Sequence, residues 1–355
     1  MVPGVSKESS PYASEEYLHQ LLSKAVAANA SDVHLKVGQP PGARVRGAMV
    51  YFRVDPIRPP DTEAAARLIL KQDDVASVTE VDTSYSLPGF GRFRVNVYRQ
   101  RGTLAVVMRA IPLKIPTFEE LGTPPAVELL AEKDRGLVLV VGAAGNGKSS
   151  TLAAMIGHMN RTRPIHIITI EDPIEFLHQD EKASISQREV GIDTPGFGVA
   201  LRAALRQDPD VIQVGEIRDE ETMDIALKAA ETGHLVLATL HTPDVGRTIN
   251  RMLALFDRAD PSELRDRIGD CLQGVVAQRL LPRKDGQGLV LASEVLVVTG
   301  TARETIRRPE GNPPIKEVLE KGVHPYGMHT FEMSLKMLLQ QGLVEKDVAR
   351  AAATF

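Results

Sequence analysis

Gly142-Ala143-Ala144-Gly145-Asn146-Gly147-Lys148-Ser149 is the stretch on which the reading of this chain turns. Its spacing is G-x-x-x-x-G-K-[ST], that of a phosphate-binding loop. Immediately before it runs Leu137-Val138-Leu139-Val140-Val141, a continuous apolar run of the kind found in strands buried on both faces. Immediately after it, Ser150-Thr151-Leu152-Ala153-Ala154-Met155-Ile156 reads as a helix with an apolar side. That order has a chemical reason. Glycines let the backbone curl until successive N–H groups point at one anion, and the helix N-terminus adds its partial positive charge. The segment from Gly142 through Ala143, Ala144, Gly145, Asn146 and Gly147 to Lys148, Ser149 and Ser150 is therefore the candidate nucleotide-binding element. Lys148 is expected on the β- and γ-phosphates of ATP or GTP, and the Ser149 hydroxyl on Mg²⁺.

Two acidic strand ends narrow the chemistry. Ile167-Ile168-Thr169-Ile170 runs into Glu171-Asp172-Pro173-Ile174-Glu175, and Asp210-Val211-Ile212-Gln213-Val214 runs into Gly215-Glu216. Open α/β sheets bind ligands at the carboxyl ends of their strands, so both clusters are expected beside the phosphate loop. Glu216 suits a residue that orders Mg²⁺ and its waters, and Glu175 suits a base that activates an attacking water. A third strand, Leu235 to Leu240, is bracketed by His234 and His241. These histidines read either as structural or as sensors of the γ-phosphate. Metal ligation by them is disfavoured, since no Cys or His partner lies at ligand spacing.

Composition sets the outer bounds. A chain of 355 residues with 43% hydrophobic and 25% charged content is expected to be a soluble globular protein of two domains. A net charge of −4 gives no support for nucleic acid as the main partner. The single cysteine, Cys271, excludes a disulfide framework and a four-cysteine zinc site, and points to a reducing compartment. No apolar run approaches the roughly 18 residues of a membrane span, and MVPGVSKESSPYAS lacks a signal-peptide core. The expected location is cytoplasmic, peripheral to a membrane at most.

Along the chain, residues 1–13 read as a flexible tail. Residues 14–110 read as a small α+β domain with an antiparallel sheet, 111–118 as a linker, and 119–355 as an α/β domain whose part from 290 to 355 is mainly helical. Ser14 caps a helix carrying Leu18, Leu21, Leu22 and Ala25. Strands are predicted at 31–37 and 43–46, helices over 61–72 and near 73–79, and a hairpin pairs 91–99 with 104–109. The outward arginines Arg92, Arg94, Arg99, Arg101 and Arg109 read, taken alone, as a solvated strand face. Apolar runs at 137–141, 165–170, 210–214 and 235–240 separated by helix-length segments predict a mostly parallel sheet with helices on both faces. One more strand is predicted at 288–298. The rest reads as helix, including one that Thr330 caps, with Phe331, Leu335, Leu338 and Leu339 on one side and Gly342 at its end.

The motifs together resemble the secretion-type hexameric ATPases, and among them the retraction ATPases of type IV pili, from about residue 30 to the C-terminus. The resemblance is carried by the phosphate loop, the acidic box from His166 to His178, and Gln187-Arg188-Glu189-Val190-Gly191. It continues through Ala200 to Arg206, Gly215-Glu216-Ile217-Arg218-Asp219, and Ala230 to Thr242. It implies a PAS-like N-terminal domain and a RecA-like ATPase domain assembled as a homohexamer, with ATP and Mg²⁺ at each site. By motif position it implies phosphate binding by Lys148, a catalytic Glu175, a Walker B Glu216, and a histidine box at His241 and His234. It also implies that a neighbouring subunit offers Arg94 and Arg109 as arginine fingers, which competes with the solvated-face reading. Thr301-Ala302-Arg303-Glu304-Thr305-Ile306-Arg307-Arg308 matches the retraction segment A-I-R-N-L-I-R-E at Ala302, Arg303, Ile306 and Arg307 and differs at the other positions. The implied partner is an inner-membrane pilus platform protein. A second retraction ATPase is a further partner if this chain is an accessory paralogue. A traffic ATPase for secretion or conjugation, a regulatory module that binds nucleotide without turnover, and a DNA-translocating ring remain as alternatives.

Overall fold

The computed structural model describes residues 10–87, 91–112, 114–257 and 259–353, and the chain divides into two compact units at Leu113/Lys114. No helix among the described residues is long and apolar enough to cross a membrane.

The first unit opens with a 3₁₀ turn (Pro11–Ala13), α1 (Glu15–Ala27), β1 (Ala30–Lys36), β2 (Gly42–Val45) and β3 (Ala48–Tyr51). α2 (Pro59–Leu70), β4 (Glu80–Leu87), β5 (Gly91–Gln100) and β6 (Thr103–Ala110) follow. The strands form one antiparallel sheet in the order β3-β2-β1-β6-β5-β4. Alternation fixes which face is buried: Phe93, Val95 and Val97 join Leu104, Val106 and Met108 against Leu18 and Leu22 of α1 and Ala65 and Ile69 of α2. Ser14 caps α1 by accepting from the Tyr17 amide, and Glu15 and Glu16 lie in its first turn.

Three expectations change here. Part of the expected tail is structured, since Tyr12 is buried with the 3₁₀ turn against α2; residues 1–9 lie outside the described residues. The helix expected near 73–79 is absent. α2 ends at a left-handed Lys71, and the Arg99 guanidinium binds the carbonyls of Val75, Ala76 and Val78, so those groups are fastened to β5. Arg99, paired with the buried Leu104 on the face of Phe93, Val95 and Val97, is therefore a structural tie and not part of the outward row. Arg109 is also engaged, with Nε 2.9 Å from Oδ1 of the buried Asp32.

The second unit begins with α3 (Phe118–Leu121), α4 (Pro125–Ala131), β7 (Gly136–Val141), α5 (Lys148–Thr162) and β8 (His166–Glu171). β9 (Ser184–Glu189), α6 (Phe197–Ala204), β10 (Val211–Val214), α7 (Glu220–Glu231) and β11 (Leu235–Leu240) come next. α8 (Val245–Ala254), α9 (Pro261–Cys271), β12 (Leu272–Pro282) and β13 (Leu289–Val297) precede α10 (Gly300–Arg307), α11 (Ile315–Lys321), α12 (Phe331–Gln340) and α13 (Lys346–Ala353). The sheet order is β13-β12-β7-β11-β10-β8-β9, parallel throughout except for the antiparallel β12–β13 pair. Leu137, Leu139 and Val141 pack into one core while Val138 and Val140 pack into another, so helices cover both faces and β7 reads as an unbroken apolar run. On α12, Phe331, Leu335 and Leu338 are buried, but Leu339 is 36% exposed and lies off the core side.

Candidate nucleotide site

Parallel strands turn all their carboxyl ends to one edge of the sheet. There the loop after β7 and the segments after β8, β10 and β11 line a single pocket. Its wall includes Ala144, Gly145, Lys148 and Ser149, then Asp172 and Glu175, then Glu216 and Arg218, and finally His241.

The loop's path depends on its glycines. Gly142 has φ +147°, and a Cβ there would stand 2.6 Å from the Gln278 carbonyl oxygen on β12, so only glycine lets the loop leave β7 this close to its neighbour. Gly147, at φ +78°, turns the chain into α5. Asn146 accepts from the Leu280 amide through Oδ1 at 3.0 Å, which fastens the loop to β12. Lys148 Nζ donates to the carbonyls of Gly142 at 2.9 Å and Ala143 at 3.1 Å. Burial lowers the Lys148 pKa, and the carboxylates of Glu216 and Glu175 oppose that shift. Ser149 lines the pocket, whereas Ser150 lies one residue further along α5, half-buried.

Glu216 sits between Arg218 and His241. Its Oε2 is 2.7 Å from Arg218 and its Oε1 3.0 Å from His241 Nε2. Burial raises its pKa, but Arg218 and His241 outweigh burial and hold it below the ordinary glutamate value. Glu171, the last residue of β8, behaves in the opposite way. Burial pushes its pKa up against hydrogen bonds from Thr169 and Gln187. Glu175 is exposed on the loop that follows. His178 lies further along that loop; burial drives its imidazole down to about 4, and its Nδ1 has no partner among the described residues.

Several expected site residues lie elsewhere. His234 is at the amino end of β11, bonded through Nδ1 to the Ala229 carbonyl, about 20 Å of strand from His241 and away from the pocket lining. Of the two histidines expected beside the site, His241 lines the pocket and His234 does not. Arg303 and Arg307 lie on α10, where Arg303 Nε donates to the Gly269 carbonyl and Arg307 pairs with Asp266, Asp270 and Glu304. Those contacts clamp α10 to α9. Arg94 and Arg109 belong to the first unit and face each other across the β5–β6 pair. Arg218 and Gln187 escaped assignment from sequence, although each lies inside a motif that carries the family resemblance. A second group of metal-ligand type, His158 with Glu128 and Glu132, joins α4 to α5 outside the pocket lining.

Comparison with known proteins adds the lineage. The Type II/IV secretion system protein family matches residues 7–340. The chain is 42% identical over 337 residues to the type IV pilus retraction ATPase PilT of Pseudomonas aeruginosa, covering 94% of this chain and 97% of that one. It is 40% identical to the type IV pilus ATPase PilU of the same organism, covering 94% and 88%. Its backbone superposes on the crystal structure of the pilus retraction motor PilT with bound ADP at a TM-score of 0.85, with 41% identity over 95% of this chain and 97% of that one. With a family match over nearly the whole length and a phosphate loop and acidic strand ends meeting at one sheet edge, this chain belongs to the Type II/IV secretion system protein family.

Proposed function

We propose that this chain is an ATP-hydrolysing motor that powers type IV pilus retraction. The observation that carries the reading is the convergence of Lys148, Glu175, Glu216 and His241 on one pocket, in a chain 42% identical over 94% of its length to a retraction ATPase. In this reading the first unit is the PAS-like domain of residues 14–110, and the second, after a linker at 111–118, is the RecA-like domain of residues 119–355.

The pocket suits a nucleoside triphosphate. The curled loop and the start of α5 offer N–H groups to phosphate oxygens, and Lys148 exchanges its carbonyl partners for the β- and γ-phosphates. The Ser149 hydroxyl and a Glu216 carboxylate held ionised are a donor set suited to a hard cation, so these residues would hold Mg²⁺. Mg²⁺ there neutralises charge on the phosphates. Glu175 takes the proton of the attacking water. His241, bonded to Glu216, senses the γ-phosphate from the end of β11. In a homohexameric ring, Arg94 and Arg109 of a neighbouring subunit act as arginine fingers. The ring docks at the cytoplasmic face of the inner membrane and turns a pilus platform protein.

An accessory role beside a second retraction ATPase is the other supported reading. Identity to PilU (40%) nearly equals identity to PilT (42%), and the retraction segment is matched only at Ala302, Arg303, Ile306 and Arg307. Surface pilin in a strain lacking this gene tests the choice. More surface pili with lost twitching is the expected result. Pili unchanged in number point to the accessory role, and fewer pili overturn retraction.

A further inference from the structure

The loop that carries Glu175 buries Ile174, and between residues 174 and 178 its backbone is also held from β9. Gln187 reaches it from three directions. Its Nε2 donates to the Phe176 carbonyl at 2.9 Å and to Glu171 Oε1 at 3.0 Å, and its Oε1 accepts from the His178 amide at 2.9 Å. Two residues on, Glu189 Oε2 accepts from the Ile174 amide at 3.2 Å. The Glu171 carboxylate, gripped by Gln187 and by Thr169 Oγ1 at 2.6 Å, is also stabilised by the Glu175 amide. Residues 174, 175, 176 and 178 are thus each tied by main-chain atoms to β9 or to the end of β8.

We infer that Gln187 is a positioning residue for Glu175: its side-chain amide fixes the loop that aims this carboxylate into the pocket. The inference rests on the reading of Glu175 as the base that activates water. Only a side chain with both a donor and an acceptor on one planar head can meet these demands, because the loop presents a carbonyl at 176 and an N–H at 178 while Glu171 presents an acceptor. An exposed glutamate on an irregular segment has no packing of its own to fix it, and catalysis is sensitive to displacements near 1 Å. Beside the buried Ile174, side chains of the neighbouring strand therefore supply the order of this segment. Gln187 itself touches no phosphate-binding group.

The test compares the intact assembled protein with Gln187→Leu and Gln187→Glu. Turnover at saturating ATP, affinity for a fluorescent ADP analogue, and amide hydrogen exchange over residues 172–178 are measured together. Turnover is expected to fall about 10- to 100-fold while ADP affinity stays within about two-fold, and the amides of Ile174 and His178 lose protection. Gln187→Glu keeps the shape and the acceptor but loses the donor, so it carries the comparison if the leucine variant does not fold. Wild-type turnover in both variants, or ADP affinity falling in step with turnover, overturns the inference. The decisive arm is the double variant. In a Glu175→Gln background, replacing Gln187 should leave the residual hydrolysis unchanged, because its effect runs through Glu175. A further fall of the original size would mean a general structural role and sink the proposal. Glu175→Gln alone hydrolysing ATP at the wild-type rate refutes the base assignment, a result that the single Glu175 variant reveals separately from any Gln187 measurement.

Discussion

In the first sheet, β5 turns Phe93, Val95 and Val97 into a core and Arg92, Arg94 and Asn96 to the opposite side, whereas β7 of the second sheet buries every residue from Gly136 to Val141. The difference follows from topology. An antiparallel sheet joined by short turns needs cover on one face only, and here α1 and α2 supply it. A parallel sheet needs crossover helices, which cover both faces and leave only the strand ends open. So in this chain the first sheet displays chemistry across a face and the second displays it along an edge. A row of arginines and a pocket of carboxylates are the two outcomes.

The sharpest way to break this comparison is at the edge. Lys148→Ala should cut phosphate release by at least about 100-fold, as expected when a donor aimed at developing charge is removed, with the sheet behind it intact by circular dichroism. Hydrolysis at the wild-type rate would remove the edge as the site. Next is the doubly covered core. Leu139→Ala, at a fully buried position, should cost about 2–5 kcal/mol in urea unfolding, since two helix layers limit how far the cavity can collapse. A loss under about 1 kcal/mol would show that β7 is less tightly enclosed than its burial implies.

The third effect depends on pH. Burial holds the His178 imidazole at about 4, down from 6.5. A base whose pKa falls on folding contributes stability that is complete above 6.5 and is lost as pH drops toward about 4. Wild-type stability should therefore decline by at most about 1.4 kcal/mol per pH unit from this residue across that window. His178→Phe should flatten the decline; equal slopes in the two proteins would assign the loss to another group. The smallest effect belongs to the open face. Arg94→Ala should change stability by no more than about 0.5 kcal/mol, because its side chain is exposed. A larger loss would mean that the arginine row supports the sheet, as Arg99 does.

Much of the edge was legible in the sequence because each of its parts follows an apolar run. Gly142 to Ser149, Glu216 and His241 all stand where a buried strand ends, and a strand of β-branched and aliphatic residues announces its own terminus. What escaped notice lacks that signal. β12 begins at Leu272 directly after α9 ends at Cys271, with no turn residues between them, and Gln278 and Arg279 interrupt its apolar pattern. β4 and β9 are sheet-edge strands whose Ser, Thr, Asp, Gln and Glu leave no apolar run to mark them. His234 was grouped with His241 because sequence proximity hides the length of the strand between them. Gln187 was part of a recognised motif, but its work is done by hydrogen bonds to backbone atoms of another segment, and no residue spacing records those.

Three consecutive residues of β12 hold parts of the second unit that are far apart in sequence. Gln278 Nε2 bonds Thr151 on α5 at 2.8 Å, Arg279 lies over the Phe331 ring at 4.2 Å and bonds the Ala352 carbonyl, and the Leu280 amide holds Asn146. One short length of backbone is thus gripped at once by the phosphate loop, by the helix behind it and by the last helices of the chain. The phosphate loop, α5, α12 and α13 thus share one anchor, and a change at any of them bears on the same three residues.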